Sequence, residues 1–217
     1  MLDEQYKALV QFMILSSEVE DKRKEETENS LTFFRLIYLF HEFRWIRNCI
    51  SQNAYHQAIR ELRFILDSTV QAYYIDREHP DSKMQCKLEI VKELDRLHRG
   101  QLIEHTDLKK DAKQKVRYLY EELCKYVHPS YRELTSLQSR SRKERESLEF
   151  ERDPEMEKIC EGLVNRTMDA AFLVALSLFP EISNPPKKFE KMRSSFGRST
   201  EALGFELTRS KWSRSVV

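Results

Sequence analysis

The stretch Leu31-Thr-Phe-Phe-Arg-Leu-Ile-Tyr-Leu-Phe-His-Glu-Phe-Arg-Trp-Ile-Arg-Asn-Cys-Ile50 decides the fold class. Plotted at 100° per residue, it is apolar on nearly every side of a helix, with polar groups confined to two arcs. Arg35 and Glu42 lie on one arc; His41, Arg44 and Asn48 lie on the other. A helix apolar on so many sides is expected at the centre of its bundle. Its charges at Arg35, His41, Glu42, Arg44 and Arg47 break the apolar run, so it falls short of the about 18 residues of a membrane span. No other stretch comes closer, and no membrane association is expected.

Helical periodicity extends outward from this segment. Asn29 or Ser30 can cap it. Upstream, Tyr6, Leu9, Val10, Met13 and Ile14 recur at spacings of three and four and predict a helix over 3–24. Downstream, Asn53 is the expected cap of a helix over 54–77, with Ala58, Ile59, Leu62, Ile65, Leu66, Val70 and Tyr73 inward. Pro80 ends it, and Asp81 opens another through Arg99, with Leu88, Val91, Leu94 and Leu97 inward and Gly100 just past the end. Residues 101–106 connect to a helix over 107–127, stopped by Pro129. Residues 131–152 are rich in Ser, Arg and Glu and read as a polar excursion or an exposed helix. Asp153-Pro154 then supplies a cap and a first-turn proline for a helix over 154–179.

The expectation is an all-α fold: a bundle of about five to six helices over 1–182 and a basic C-terminal extension over 183–217. That extension carries eight Lys or Arg against three Glu from 187 onward, a local net of +5, with Phe189, Phe196, Phe205 and Trp212 spaced through it. Such a tail is either a solvated terminus or a contact for phosphates with aromatic stacking of bases.

Composition excludes several classes. The 217 residues are 40% hydrophobic, enough for a core, and 34% charged, with a net charge of only +1. Four glycines suit helices rather than turn-rich β folds, and no Gly-rich phosphate loop occurs. Cys49, Cys86, Cys124 and Cys160 form no C-x-x-C and read as free thiols in a reducing compartment. The first residues are acidic (Asp3, Glu4), unlike the basic start of a secretory signal. The expected location is cytoplasmic.

Chemistry is sparse. The nearest approach to a Glu-x-x-His metal pair is Asp95-x-x-His98, so no metal and no cofactor is expected. The most distinctive element is Leu119-Tyr-Glu-Glu-Leu-Cys-Lys-Tyr-Val-His-Pro-Ser-Tyr131, where a helix ends on His128. The helix dipole favours a protonated imidazole there, which suits general acid or base work; the same residue also suits a cap on a free carbonyl. The row Arg60, Arg63, Asp67 and Gln71 on the third helix is positioned to face His41, Arg44 and Asn48 on the second. That arrangement makes either a structural ion-pair network or a cleft for a phosphate.

The helical architecture, with a late helix ending in a hydrophobic-His element followed by Pro, Ser and Tyr, resembles the HEPN superfamily over about residues 29–180. The resemblance implies an RNA-associated or defence-related module, commonly a homodimer, whose active members cleave RNA without metal through Arg-(Asn/Asp/His)-x-x-x-His. Aligned on His128, the family arginine falls on Leu123 and the following polar position on Cys124. The implied role is therefore binding rather than cutting. The implied site is His128, the group that would move a proton, with Arg44, Arg60, Arg63 and Arg132 as phosphate contacts. The competing expectation is a non-catalytic helical scaffold. A homodimer also follows from the apolar surface of the second helix, which exceeds what one small bundle easily covers.

Overall fold

The computed structural model describes residues 27–94, 99–127 and 152–178. The first predicted helix, the polar segment up to residue 151, His128, Arg132 and the basic tail lie outside these residues. Among the described residues the chain is all-helical: α1 (Leu31–Ser51), α2 (Tyr55–Glu78), α3 (Met84–Leu94), a 3-10 helix (Arg99–His105), α4 (Lys110–Val127) and α5 (Pro154–Leu178).

The central helix is α2, not α1 as its apolar sequence predicts. All the other described elements pack against α2. Its small residues explain this: Ala58, Thr69 and Ala72 are buried among Ile59, Leu62, Ile65, Leu66 and Val70, which lets neighbours approach on several sides. By contrast, α1 buries Leu36, Leu39, Phe43 and Ile46 but leaves Phe34, Tyr38 and Trp45 facing solvent.

Directions follow from the contacts. Asp76, late in α2, touches the start of α1, so these two helices are antiparallel. Tyr73 meets Asp107 and Arg63 meets Tyr120, so α4 is antiparallel to α2. The Cys160 thiol donates to the Tyr55 carbonyl (3.7 Å), and Arg166 of α5 forks onto Glu122 of α4 (2.6 and 2.8 Å). These levels make α5 parallel to α2. One apolar cluster runs through α1, α2, the 3-10 helix, α4 and α5.

The helix starts differ in how well local sequence forecasts them. Ser30 caps α1 as expected, its hydroxyl accepting from the Phe33 amide (3.1 Å). Asp153 caps α5, accepting from Glu155 and Met156 at 3.0 and 3.1 Å. Asn53 is no cap: it takes a left-handed φ of 60° in the turn after α1, and α2 starts after Ala54 without a side-chain cap. The next helix begins at Met84 rather than beside Asp81, and its first amide donates to Asn29 (3.0 Å), distant in sequence. Residues expected to be a connection form the 3-10 helix, fastened by Arg77 to the His105 carbonyl and by Arg117 to Glu104.

The inward face of α3 also departs from expectation. Lys87 is buried, whereas Leu88 is exposed. The Lys87 ammonium donates to Asp76 Oδ1 (2.9 Å), which also accepts from the Leu31 amide (3.0 Å). Asp76 Oδ2 accepts from the Ser30 hydroxyl (2.7 Å) and the Thr32 amide (2.8 Å). The carboxylate thus sits on the positive end of α1 and is matched by a cation from α3.

Candidate functional site

The candidate site is the solvent face of α2 and its two borders. Arg60 is exposed there, and no other described residue pairs with it. One turn on, Phe64 is half-exposed, and the Arg35 guanidinium of α1 lies over its ring (5.4 Å to the centroid). Arg35 is held in place by a two-pronged bond to Glu42 (2.8 and 2.9 Å). On the opposite border, the Arg63 guanidinium lies over the Tyr120 ring of α4 (5.6 Å), donates to its hydroxyl (3.4 Å) and stands 3.6 Å from Asp67.

This face therefore holds two arginines docked on aromatic rings, with a third, exposed one between them. Arg35 and Arg63 are largely covered and already paired, with Glu42 and with Tyr120 and Asp67, so the donors open to an incoming phosphate are those of Arg60.

The electrostatics follow from burial and pairing. Burial opposes the Arg63 charge, but the Tyr120 hydrogen bond and the negative groups beside it outweigh that effect and hold the guanidinium above its ordinary range. Burial pushes the Tyr120 hydroxyl up, opposed by Arg63. Burial also raises the Cys124 thiol, again opposed by Arg63. Cys124 is thus a neutral thiol at physiological pH, which is a poor nucleophile. Burial raises the Glu42 carboxyl, and Arg35 pulls it back.

The expected residues are partly assembled. Arg60 and Arg63 share α2, and Arg63 reaches α4 eight positions before His128 in sequence. His128 and Arg132 lie outside the described residues. Arg44 is exposed on α1, beside His41 and Trp45, and does not join the Arg63 border.

The expected confrontation of the two polar rows does not occur. Arg63 and Asp67 turn toward Tyr120, and Gln71 donates to the Val91 carbonyl of α3 (3.5 Å). His41, Arg44 and Asn48 stay in solvent. Both helices turn their bulky aliphatic side chains into the common core, and the polar arcs fall outside it.

Leu123, at the position of the family arginine, is completely buried in the core. Arg35 was missed as a site residue. Its partner Glu42 on the same arc is the sequence signal, but the ring beneath it comes from α2 and has none. Among the described residues, no three His, Cys, Asp or Glu gather as metal ligands do, and no helix is long and apolar enough to cross a membrane. No family model matches the chain, and neither a curated protein nor a solved structure does.

Proposed function

We propose that the chain is a HEPN-like, RNA-associated helical module that binds single-stranded RNA rather than cutting it. The observation that carries this reading is the α2 face, where Arg60 stands free between the Arg35–Phe64 and Arg63–Tyr120 stacks. A phosphate suits the exposed Arg60 guanidinium, and a base suits the half-exposed Phe64 ring. The nearby carboxylates of Glu42 and Asp67 set a limit on purely charge-driven attraction, so the tail over 183–217 supplies most of the ionic contact in this reading.

Binding without cutting is supported by Leu123. An aliphatic side chain sealed in the core cannot stabilise the charge that develops on phosphorus. His128 alone could still move a proton, but the required cation is missing from its motif position.

The test is anisotropy of a short fluorescent single-stranded RNA titrated with the full chain. With about five tail contacts, affinity should fall about a hundredfold between roughly 50 and 200 mM salt. Truncation at Pro185 should remove most of that salt dependence. Arg60→Glu should weaken the remainder roughly tenfold. Absence of binding at low salt removes the proposal. Metal-free cleavage that His128→Ala abolishes would replace it with the cutting alternative. A scaffold role with no nucleic acid is favoured by a separate feature, the aromatic row on α1.

A further inference from the structure

Helix α3 is docked differently from the rest of the bundle. The main apolar cluster joins α1, α2, the 3-10 helix, α4 and α5, and no α3 residue belongs to it. Instead, α3 packs on a small second cluster: Leu31 at the start of α1, with Ala72 and Ile75 late in α2. Its own Met84, Ile90, Val91 and Leu94 are only partly buried there. The one α3 side chain that is fully buried is charged: Lys87, 2% exposed, bonded to Asp76. Its apolar neighbour Leu88 is 42% exposed.

We propose that α3 is a strap that opens as a unit while the other described helices stay folded, with the Lys87–Asp76 pair as its latch. Apolar stabilisation scales with the area removed from water, and the inward apolar side chains of α3 are covered only in part. The buried pair adds little net hold, because both ions lost their water to form it; it fixes the register in which α3 docks. Opening returns the Lys87 ammonium to water. It does not strand Asp76, whose carboxylate keeps the Ser30 hydroxyl and the Leu31 and Thr32 amides. The lysine is thus a partner that the fold can release, whereas the aspartate is built into the start of α1.

The fastening is uneven along the strap. Asn29 holds its first amide (3.0 Å), but near the other end Gln71 reaches the Val91 carbonyl only at 3.5 Å, the long limit of a hydrogen bond. Eleven residues are too few for a helix that is stable alone in water, so undocking and melting are one event. What opens is the floor of Leu31, Ala72 and Ile75 beside Asp76, an apolar groove with one carboxylate that α3 keeps closed. Neither the main cluster nor the Arg60–Phe64 face takes part, so the strap stands apart from the RNA reading.

The test is native-state hydrogen exchange of the full chain, read by NMR in urea below the unfolding transition. Amides over 88–94 should exchange at least about a hundredfold faster than those over 62–70, with a weaker urea dependence, because little surface opens. Lys87→Met should speed the α3 amides about tenfold. Ile46→Val, a mild change inside the main cluster, should speed the slowest α2 amides about fivefold. The same variant should leave α3 exchange unchanged, because Ile46 stays packed when the strap is open. One rate and one urea dependence shared by α3 and α2 overturns the proposal, and so does α3 exchange that accelerates with Ile46→Val. An unaltered α3 rate in Lys87→Met removes the latch, and the proposal with it.

Discussion

Asp76 carries three donors besides a lysine, and the consequences of breaking that cluster differ by residue. Removing the carboxylate strands the Lys87 ammonium, which is 2% exposed, and frees the Ser30 hydroxyl and two amides at the start of α1. Asp76→Ala is therefore expected to destabilise the fold by about 3–5 kcal/mol, as breaking a buried pair does. Lys87→Met leaves the carboxylate with its three remaining donors, so it should cost less, about 1–3 kcal/mol. The double variant Asp76→Asn/Lys87→Met should be more stable than Asp76→Ala alone. Urea denaturation followed by CD ranks the three, and equal costs for both single variants would refute the capping role. Little of this was legible in the sequence. The spacing of Leu88, Val91 and Leu94 marks Leu88 as the core residue of α3, yet Lys87 takes the place because a carboxylate eleven residues earlier needs a cation. Periodicity ranks side chains by apolarity and cannot see a partner that only the tertiary fold supplies.

The helices differ in how far their own residues define them. Asp153-Pro154 carries the start of α5: the aspartate accepts from two first-turn amides, and among the described residues no distant one takes part. Asp153→Ala should then cost about 1 kcal/mol, seen as a fall in the denaturation midpoint, while Asp153→Asn should cost almost nothing. That element was readable because its cap is local, whereas α3 was misplaced at its start because its first amide is satisfied by Asn29. The α4–α5 contact gives a pH-dependent counterpart. The Arg166 fork onto Glu122 holds that carboxyl below its ordinary range. A folded pKa lower than the unfolded one stabilises above the unfolded value, and the gain is lost as pH falls through the folded one. Stability should thus drop on acidification through the carboxylate range, less so in Glu122→Gln. The difference should be small, below ~1 kcal/mol, because the pair is partly solvated. An unchanged acid profile in Glu122→Gln would remove this contact from the account.

At the scale of the molecule, the all-helical class and most helix limits were legible, because amphipathic spacing and prolines are local signals. The centre was not: α1 is the more apolar helix, but burial on several sides went to α2, whose alanines and threonine admit neighbours. The candidate site was half legible. Arg60 and Arg63 were visible as a row, while their stacking partners, Tyr120 and the Arg35–Phe64 pair, depend on which helices α2 touches. A central α2 has a consequence for unfolding. Cys49 on α1 and Cys160 on α5 are both sealed in the one cluster that α2 unites, and Cys86 on α3 is exposed. Burial pushes the Cys160 thiol up to about 12 and the Cys49 thiol upward as well, so neither is a thiolate at neutral pH. Alkylation must then wait for the core to open. Cys86 is expected to label rapidly, while Cys49 and Cys160 label together at a common, much slower rate set by global unfolding. Raising the pH from about 9 toward about 12 should weaken the fold, since the unfolded chain releases the Cys160 proton first. Mass spectrometry of the pulse-labelled chain reads the order. If Cys160 labelled well before Cys49, α5 would detach from α2 on its own, and the two helices would not share a single cooperative core around α2.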